Sequence, residues 1–205
     1  MAMFPLGSVL LPSMLLPLHV FEERYRRLVD DVLAADPPEF GVVLIARGSE
    51  VGGGDQRVGV GCAARVIEAQ QAPDGRWALM CVGTRRIRVQ RWEPDDPYPR
   101  AVVEDWPSDP AVGADLDVPL AEAEARVRRV AALGSELGGP GLREPLELSD
   151  DPDERSFQLG VLSPLGALDR QAVLEAPGPA DRLARLVALL AEHEDVLRAR
   201  LALGD

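Results

Sequence analysis

The chain contains no lysine and no asparagine in its 205 residues, so all 22 of its basic side chains are arginine. The missing amine excludes a P-loop lysine, a Ser–Lys dyad and a Schiff-base lysine. Cysteine is almost absent. Cys62 and Cys81 are too few for a disulfide framework or a cysteine-rich zinc site, and two free, half-buried thiols are expected. If the turn near residue 74 sets a tight hairpin, they sit within two rungs of each other. Histidine stops at His19 and His193, which form no helical i,i+4 pair for a metal. His19, between Leu18 and Val20, reads as a satisfied structural histidine, and His193, among Glu192, Glu194 and Asp195, as part of a solvated helix face. No G-x-S-x-G elbow precedes a helix, which ranks an unrecognised hydrolase third among the functional classes. No catalytic residue, cofactor or metal site is expected. Long apolar runs are lacking too. Residues 1–21 carry no charge apart from His19, but Pro5, Gly7, Pro12 and Pro17 interrupt them and no basic n-region precedes them. Neither a signal peptide nor a membrane span is expected, and the chain is placed in the cytoplasm.

What is abundant is acid. The formal net charge is −12, with 12 Arg against 16 Asp/Glu in residues 1–110 and 10 against 18 in residues 111–205. Such a surface repels phosphate backbones and anionic lipid, so nucleic acid and membranes are disfavoured partners.

Phe4-Pro5-Leu6-Gly7-Ser8-Val9-Leu10-Leu11-Pro12 and Leu15 to Val20 are apolar runs whose prolines suit strand ends, edges or bends. The period then changes. Phe21, Tyr25, Leu28, Val29, Val32 and Leu33 fall on one face of a helix over about 22–34, with Glu22→Arg26 and Glu23→Arg27 on the other. Strands are predicted over 40–47, 57–69, 77–91 and 99–106. Gly59 and Gly61 suggest a bulge or bend, Pro73-Asp74-Gly75 a turn, and the Gly-rich segment 48–55 a flexible hairpin connection. After Pro110 the period is helical. Leu116, Leu120, Ala123, Val127 and Val130 share a face, predicting a helix over 117–133 that stops at Gly134. Residues 135–152 read as a surface loop. Short helices follow over 153–162 and 168–174, then a long one over 180–202.

Taken together, FPLGSVLLP, then PLHVFEERYRRLV, Asp74-Gly75-Arg76, Gly83-Thr84-Arg85-Arg86-Ile87, Pro97-Tyr98 and Asp181-Arg182-Leu183 resemble the Lon protease N-terminal (substrate-binding) domain family over nearly the whole chain. The resemblance implies an α+β protein: a PUA-like antiparallel β-barrel from about residue 1 to 110, with one helix, followed by a helical subdomain from about 115 to 205. The ATPase and Ser–Lys peptidase modules of Lon proteases have no counterpart in these residues. The resemblance therefore implies a non-enzymatic polypeptide-recognition module, with an unfolded or extended polypeptide or a protein partner as ligand.

The candidate contacts are Met14 and Leu15, between prolines, and Trp92, placed by strict alternation on the outer face with Arg86, Arg88 and Gln90 while Ile87 and Val89 face inward. The alternative is an RNA-binding PUA-like protein using Arg85, Arg86, Arg88 and Arg91. Against it, Glu104 and Asp105 on the next strand are placed to neutralise that cluster.

Overall fold

The structure, a computed structural model, describes residues 1–47, 56–111, 113, 115–142 and 146–203. The expected connection at 48–55, and Pro145 of the expected surface loop, lie outside the described residues. The chain divides into two compact units, Met1–Pro107 and Ser108–Asp205.

The first unit is built on strands β1 (Met3–Leu6), β2 (Leu15–Val20), β3 (Glu39–Arg47), β4 (Gln56–Gln71), β5 (Trp77–Glu93) and β6 (Arg100–Asp105), with helix α1 (Glu23–Leu33) between β2 and β3. The sheet runs β1-β3-β4-β5-β2, and β6 also pairs with β5. β5 is long enough to hold two partners end to end on one edge. Residues 77–82 pair with β2 and residues 87–93 with β6. β6 in turn meets the first strand. Ala2 bridges Arg100, the Met3 amide donates to the Pro99 carbonyl at 2.9 Å, and the Ala101 amide donates to the Met1 carbonyl at 3.1 Å. The ring β1-β3-β4-β5-β6 is thereby closed into a barrel.

Its interior takes one fully buried side chain from each strand of that ring: Met3, Val43, Ala63, Ile87 and Ala101. A Cβ on Gly41, beside Met3 in register, would lie 2.5 Å from the Met3 sulfur and 2.8 Å from Ile87 Cδ1, so only glycine leaves room there for both. The sheet is mixed rather than purely antiparallel, since β1 runs parallel to β3. The reason is the connection. β2 and α1 carry the chain away and back, as a parallel pair requires, whereas the tight turns further on enforce antiparallel pairing. The expected bulge is present on β4, where Gly61 opposes Val43 and Arg57 opposes Ile45, leaving Gly59 in the irregular stretch.

The outer face of the barrel carries a second core, on which α1 docks through Tyr25, Leu28, Val29 and Val32. Tyr25 stacks on Phe4 at 4.2 Å between ring centroids, and the Tyr98 hydroxyl donates to Asp31 at 2.5 Å. Four apolar side chains at about 1.5–3 kcal/mol each anchor this helix. Phe21 and Leu33, expected on the same face, lie beyond the contact and are 61% and 36% exposed. Cys62 and Cys81 are fully buried here. They are not neighbours in register. Cys81 opposes Val66 and Cys62 opposes Arg86, because the hairpin turns about Asp74 and that register sets the partner of Cys62 five residues past Cys81; the bulges between Ala63 and Ala64 and between Val66 and Glu68 fall on opposite strands and cancel.

The second unit packs α2 (Asp117–Glu136), α3 (Pro152–Leu162), α4 (Ala167–Leu174) and α5 (Pro179–Leu203). The predicted stripe Leu120, Ala123, Val127, Val130 meets Leu183, Leu186, Leu190 and Leu197 of α5. Asp151 caps α3 by accepting from the Asp153 amide at 2.8 Å, with Pro152 opening the helix. α2 runs past Gly134 and stops at Gly138, which holds φ +83°. The Gly139 amide reaches back to the Gly134 carbonyl at 2.9 Å and the Gly138 amide to Ser135 at 3.0 Å, a Schellman stop. Arg182 is fully buried, stacked 3.4 Å over Phe157, and donates to Asp153, to Ser156 at 2.6 Å and to Ser108 at 2.9 Å.

Candidate functional site

β2 ends the sheet path, so among the described residues one of its edges has no strand beside it. The Gly83 amide donates to the Met14 carbonyl at 2.9 Å, which sets the alternation along the strand. The backbone groups of Leu16, Leu18 and Val20 turn toward β5, and those of Leu15, Pro17 and His19 turn toward the open edge. Pro17 occupies a position where no amide is needed for the ladder, which is where a strand tolerates proline. Side chains follow the same period. Leu16 and Val20 are buried in the outer core, whereas Leu15, Pro17 and His19 are exposed.

The row continues into Phe21, and at this end the surface is concave. A cleft of about 540 Å³ lies between the β2–α1 step and the end of the β4–β5 hairpin, lined among others by His19, Phe21, Gln71, Pro73, Arg76 and Trp77. The hairpin end is held by α1, since Arg26 donates to the Asp74 carbonyl at 3.3 Å. The Trp77 indole N–H is buried and, among the described residues, has no hydrogen-bond partner.

Of the expected contacts, the structure places Met14 and Leu15 at the start of this row, Met14 half-buried against the outer core and Leu15 58% exposed. Trp92 is elsewhere and faces the other way. A bulge between Val89 and Arg91 shifts the parity of β5, so Trp92 packs with Val89 against the barrel interior instead of pointing outward with Arg86 and Arg88. Arg57 lies over its ring at 4.5 Å and pairs with Asp95 at 2.8 Å. Pro17, Phe21 and Trp77 were not singled out from the sequence. The alternation that reveals them is masked because both faces of β2 are largely apolar. His19 is exposed in the row rather than enclosed in structure. His193 is half-buried, lining a pocket in the second unit rather than lying on a solvated face.

The arginine cluster is occupied. Arg85 donates to Glu39 at 2.7 Å and to Asp105 at 2.9 Å, Arg86 and Arg88 stack on Trp106 at 4.3 and 4.1 Å, and Arg91 is 3.8 Å from Glu93. Glu39 also receives Arg65 at 2.8 Å. Burial pushes the Glu39 carboxyl up, but the Arg85 and Arg65 hydrogen bonds outweigh it and hold the group below its ordinary value of 4.5. Burial pushes both thiols up, to about 12, which leaves them inert as nucleophiles near neutrality. Among the described residues, no group of three His, Cys, Asp or Glu side chains could hold a metal ion, and no helix is long and apolar enough to cross a membrane.

A five-stranded closed barrel with an added edge strand, followed by a helical bundle, defines an α+β fold whose accessible features, among the described residues, are an open strand edge and clefts. The family model for the ATP-dependent protease La (LON) substrate-binding domain matches residues 1–192, and the chain belongs to that family. It is 26% identical over 192 residues to Lon protease 2 of Herpetosiphon aurantiacus, covering 94% of this chain and 23% of that protein. To the Lon protease of Escherichia coli (strain K12) it is 24% identical over 195 residues, covering 95% and 25%. The chain thus spans about a quarter of the length of the curated relatives it matches. Among solved structures, a Lon N-terminal domain protein from Xanthomonas campestris superposes with a TM-score of 0.65 at 28% identity, covering 91% of this chain and 96% of that one. The N-terminal domain of the Mycobacterium avium complex Lon protease shares the fold, with a TM-score of 0.64 at 16% identity and coverage of 94% and 98%.

Proposed function

We propose that this chain is a non-enzymatic polypeptide-recognition module that binds unfolded or extended polypeptide along β2 and presents it to a protease or another partner in the cytoplasm. The observation that carries the proposal is the open edge of β2, flanked by exposed Leu15 and Phe21 and ending in the Trp77 cleft. An extended segment can add its backbone to such an edge while its apolar side chains meet the row and the cleft. Met14 supplies adaptable apolar surface at the start of the row. Trp92 is not included, because its ring is already covered. No cofactor is invoked. The RNA alternative gains no support, since each arginine of the cluster is paired or stacked.

The test is fluorescence anisotropy with a labelled, unstructured, apolar-rich peptide. Micromolar-range binding is expected, persisting from low to moderate salt. Leu15→Glu with Phe21→Glu should weaken it at least tenfold while leaving the thermal midpoint nearly unchanged, since both side chains are exposed. Binding undiminished in that folded variant would remove β2 as the site. Absence of binding to any extended peptide would overturn the function itself.

A further inference from the structure

The helical unit contains a second concavity, independent of the β2 edge. It has a volume of about 440 Å³ and lies between the C-terminal stop of α2, the end of α3 and the last turns of α5. Its walls are aliphatic: Val130, Leu137, Leu142, Leu162, Pro164 and Leu197. The floor is open because the positions facing it carry little. A Cβ on Gly134 would meet no heavy atom within 4 Å, and the Schellman stop that follows contributes Gly139, Pro140 and Gly141. An apolar space of this size is in the range that encloses small ligands, and a few convergent polar groups then fix what they are.

Among the described residues, the only ionisable groups lining the space are His193 and Arg200, which sit with Leu197 at i, i+7 and i+4 on one face of α5. Arg200 has no carboxylate within ion-pair distance among the described residues. The contrast with its neighbours is sharp. Arg126, Arg129 and Arg198 all converge on the buried Glu194, at 3.5, 3.5 and 2.5 Å. Arg200 instead lines the pocket with no such partner among the described residues. The helix C-termini at the pocket would oppose an anion, but two terminal carbonyls of α2 and two of α3 are already engaged. Gly134 and Ser135 accept from Gly139 and Gly138, and Leu159 and Gly160 accept from Ser163.

We propose that this pocket binds a small amphipathic carboxylate, an apolar chain lying along Leu137, Leu162 and Leu197 with its one carboxylate at Arg200 and His193 beside it. Guanidinium is suited to the role because its fork matches the two carboxylate oxygens.

The experiment is isothermal titration of the full chain with decanoate below its micellar concentration, alongside decanol and a tetrapeptide ending in leucine. Saturable one-to-one binding of decanoate is expected, with decanol at least tenfold weaker. Arg200→Gln should weaken decanoate about tenfold and leave decanol unchanged. Gly134→Leu should abolish binding by filling the pocket. It should keep or raise the thermal midpoint, because the added side chain enters open space and leucine is the better helix former. Decanoate binding that survives Gly134→Leu, equal binding of decanol, or no saturable binding overturns the proposal. Binding of the tetrapeptide in preference to decanoate also overturns it, and makes the pocket a second polypeptide site.

Discussion

Arg182 and Glu39 show two ways in which single charged groups hold this protein together. Arg182 is inside the helical unit, where burial alone lowers its pKa, and its hydrogen bonds to Asp153, Ser156 and Ser108 and its stacking on Phe157 compensate. Arg182→Ala should destabilise by about 2–4 kcal/mol, below the upper range for a broken buried pair because Asp153 is 42% exposed and regains water. Arg182→Lys should recover little of that loss, since a compact ammonium lacks the two separated terminal nitrogens that reach Ser108 on one side and Asp153 and Ser156 on the other, and has no plane to lie flat on a ring. Urea midpoints of the three proteins decide this, and a lysine variant as stable as wild type would refute it. Glu39 behaves differently because its carboxyl is held below 4.5 in the folded state. A depressed pKa contributes stability that is present above the unfolded value and lost as pH falls through the folded one. Wild type should therefore lose stability from about pH 5 downward more steeply than Glu39→Gln, the two curves converging in acid. Parallel curves in urea titrations across that window would contradict the assignment.

Among the elements, β5 carries the most consequences. It lies beside β4 over residues 77–88 and shares its other edge between β2 and β6. Its bulge after Val89 decides where Trp92 points. Trp92→Ala should lower the thermal midpoint by several degrees while peptide affinity stays within about twofold, as expected of a half-buried aromatic packed on a core. Unchanged stability with lost affinity would return Trp92 to the binding surface. Strand and helix positions were legible in the sequence because they rest on periodicity and turn chemistry, which are local. The facing of Trp92 was not, because it hangs on a bulge and one extra residue inverts every side chain beyond it, and the offset of Cys62 from Cys81 hangs on where the hairpin turns. The parallel pairing of β1 with β3 and the apolar surroundings of His193 were hidden for another reason. Both depend on partners distant in the chain. Within the candidate site, Met14 and Leu15 could be chosen from their position between prolines, whereas Phe21 looked like core and Trp77 became visible only when the hairpin end closed over the cleft.

At the scale of the molecule, net charge and the pairing of the arginines work in the same direction. Nucleic-acid affinity comes mainly from neutralising phosphates and falls steeply with salt. At −12, with Arg85, Arg86, Arg88 and Arg91 engaged, the chain lacks that driving force. Single-stranded RNA should bind poorly under conditions where the peptide binds, and tight RNA binding with a steep salt slope would reverse the proposed function. On the proposed non-enzymatic reading, neither ATP hydrolysis nor casein cleavage should be detected with this lysine-free chain, and reproducible ATPase turnover that survives further purification would overturn that reading. The closure of the barrel also bears on how the protein reaches its fold. The ring is sealed where Ala2 meets Arg100, residues 98 positions apart. Bringing such ends together costs about 4 kcal/mol of chain entropy, beyond a constant, before any contact compensates. β1 can pair with β3 early in synthesis, but it must wait for β6 to emerge from the ribosome, presenting an unpaired edge until then. Sealing of the ring should be the late, slow event of folding, and a nascent chain stopped short of residue 100 should be the species most prone to self-association.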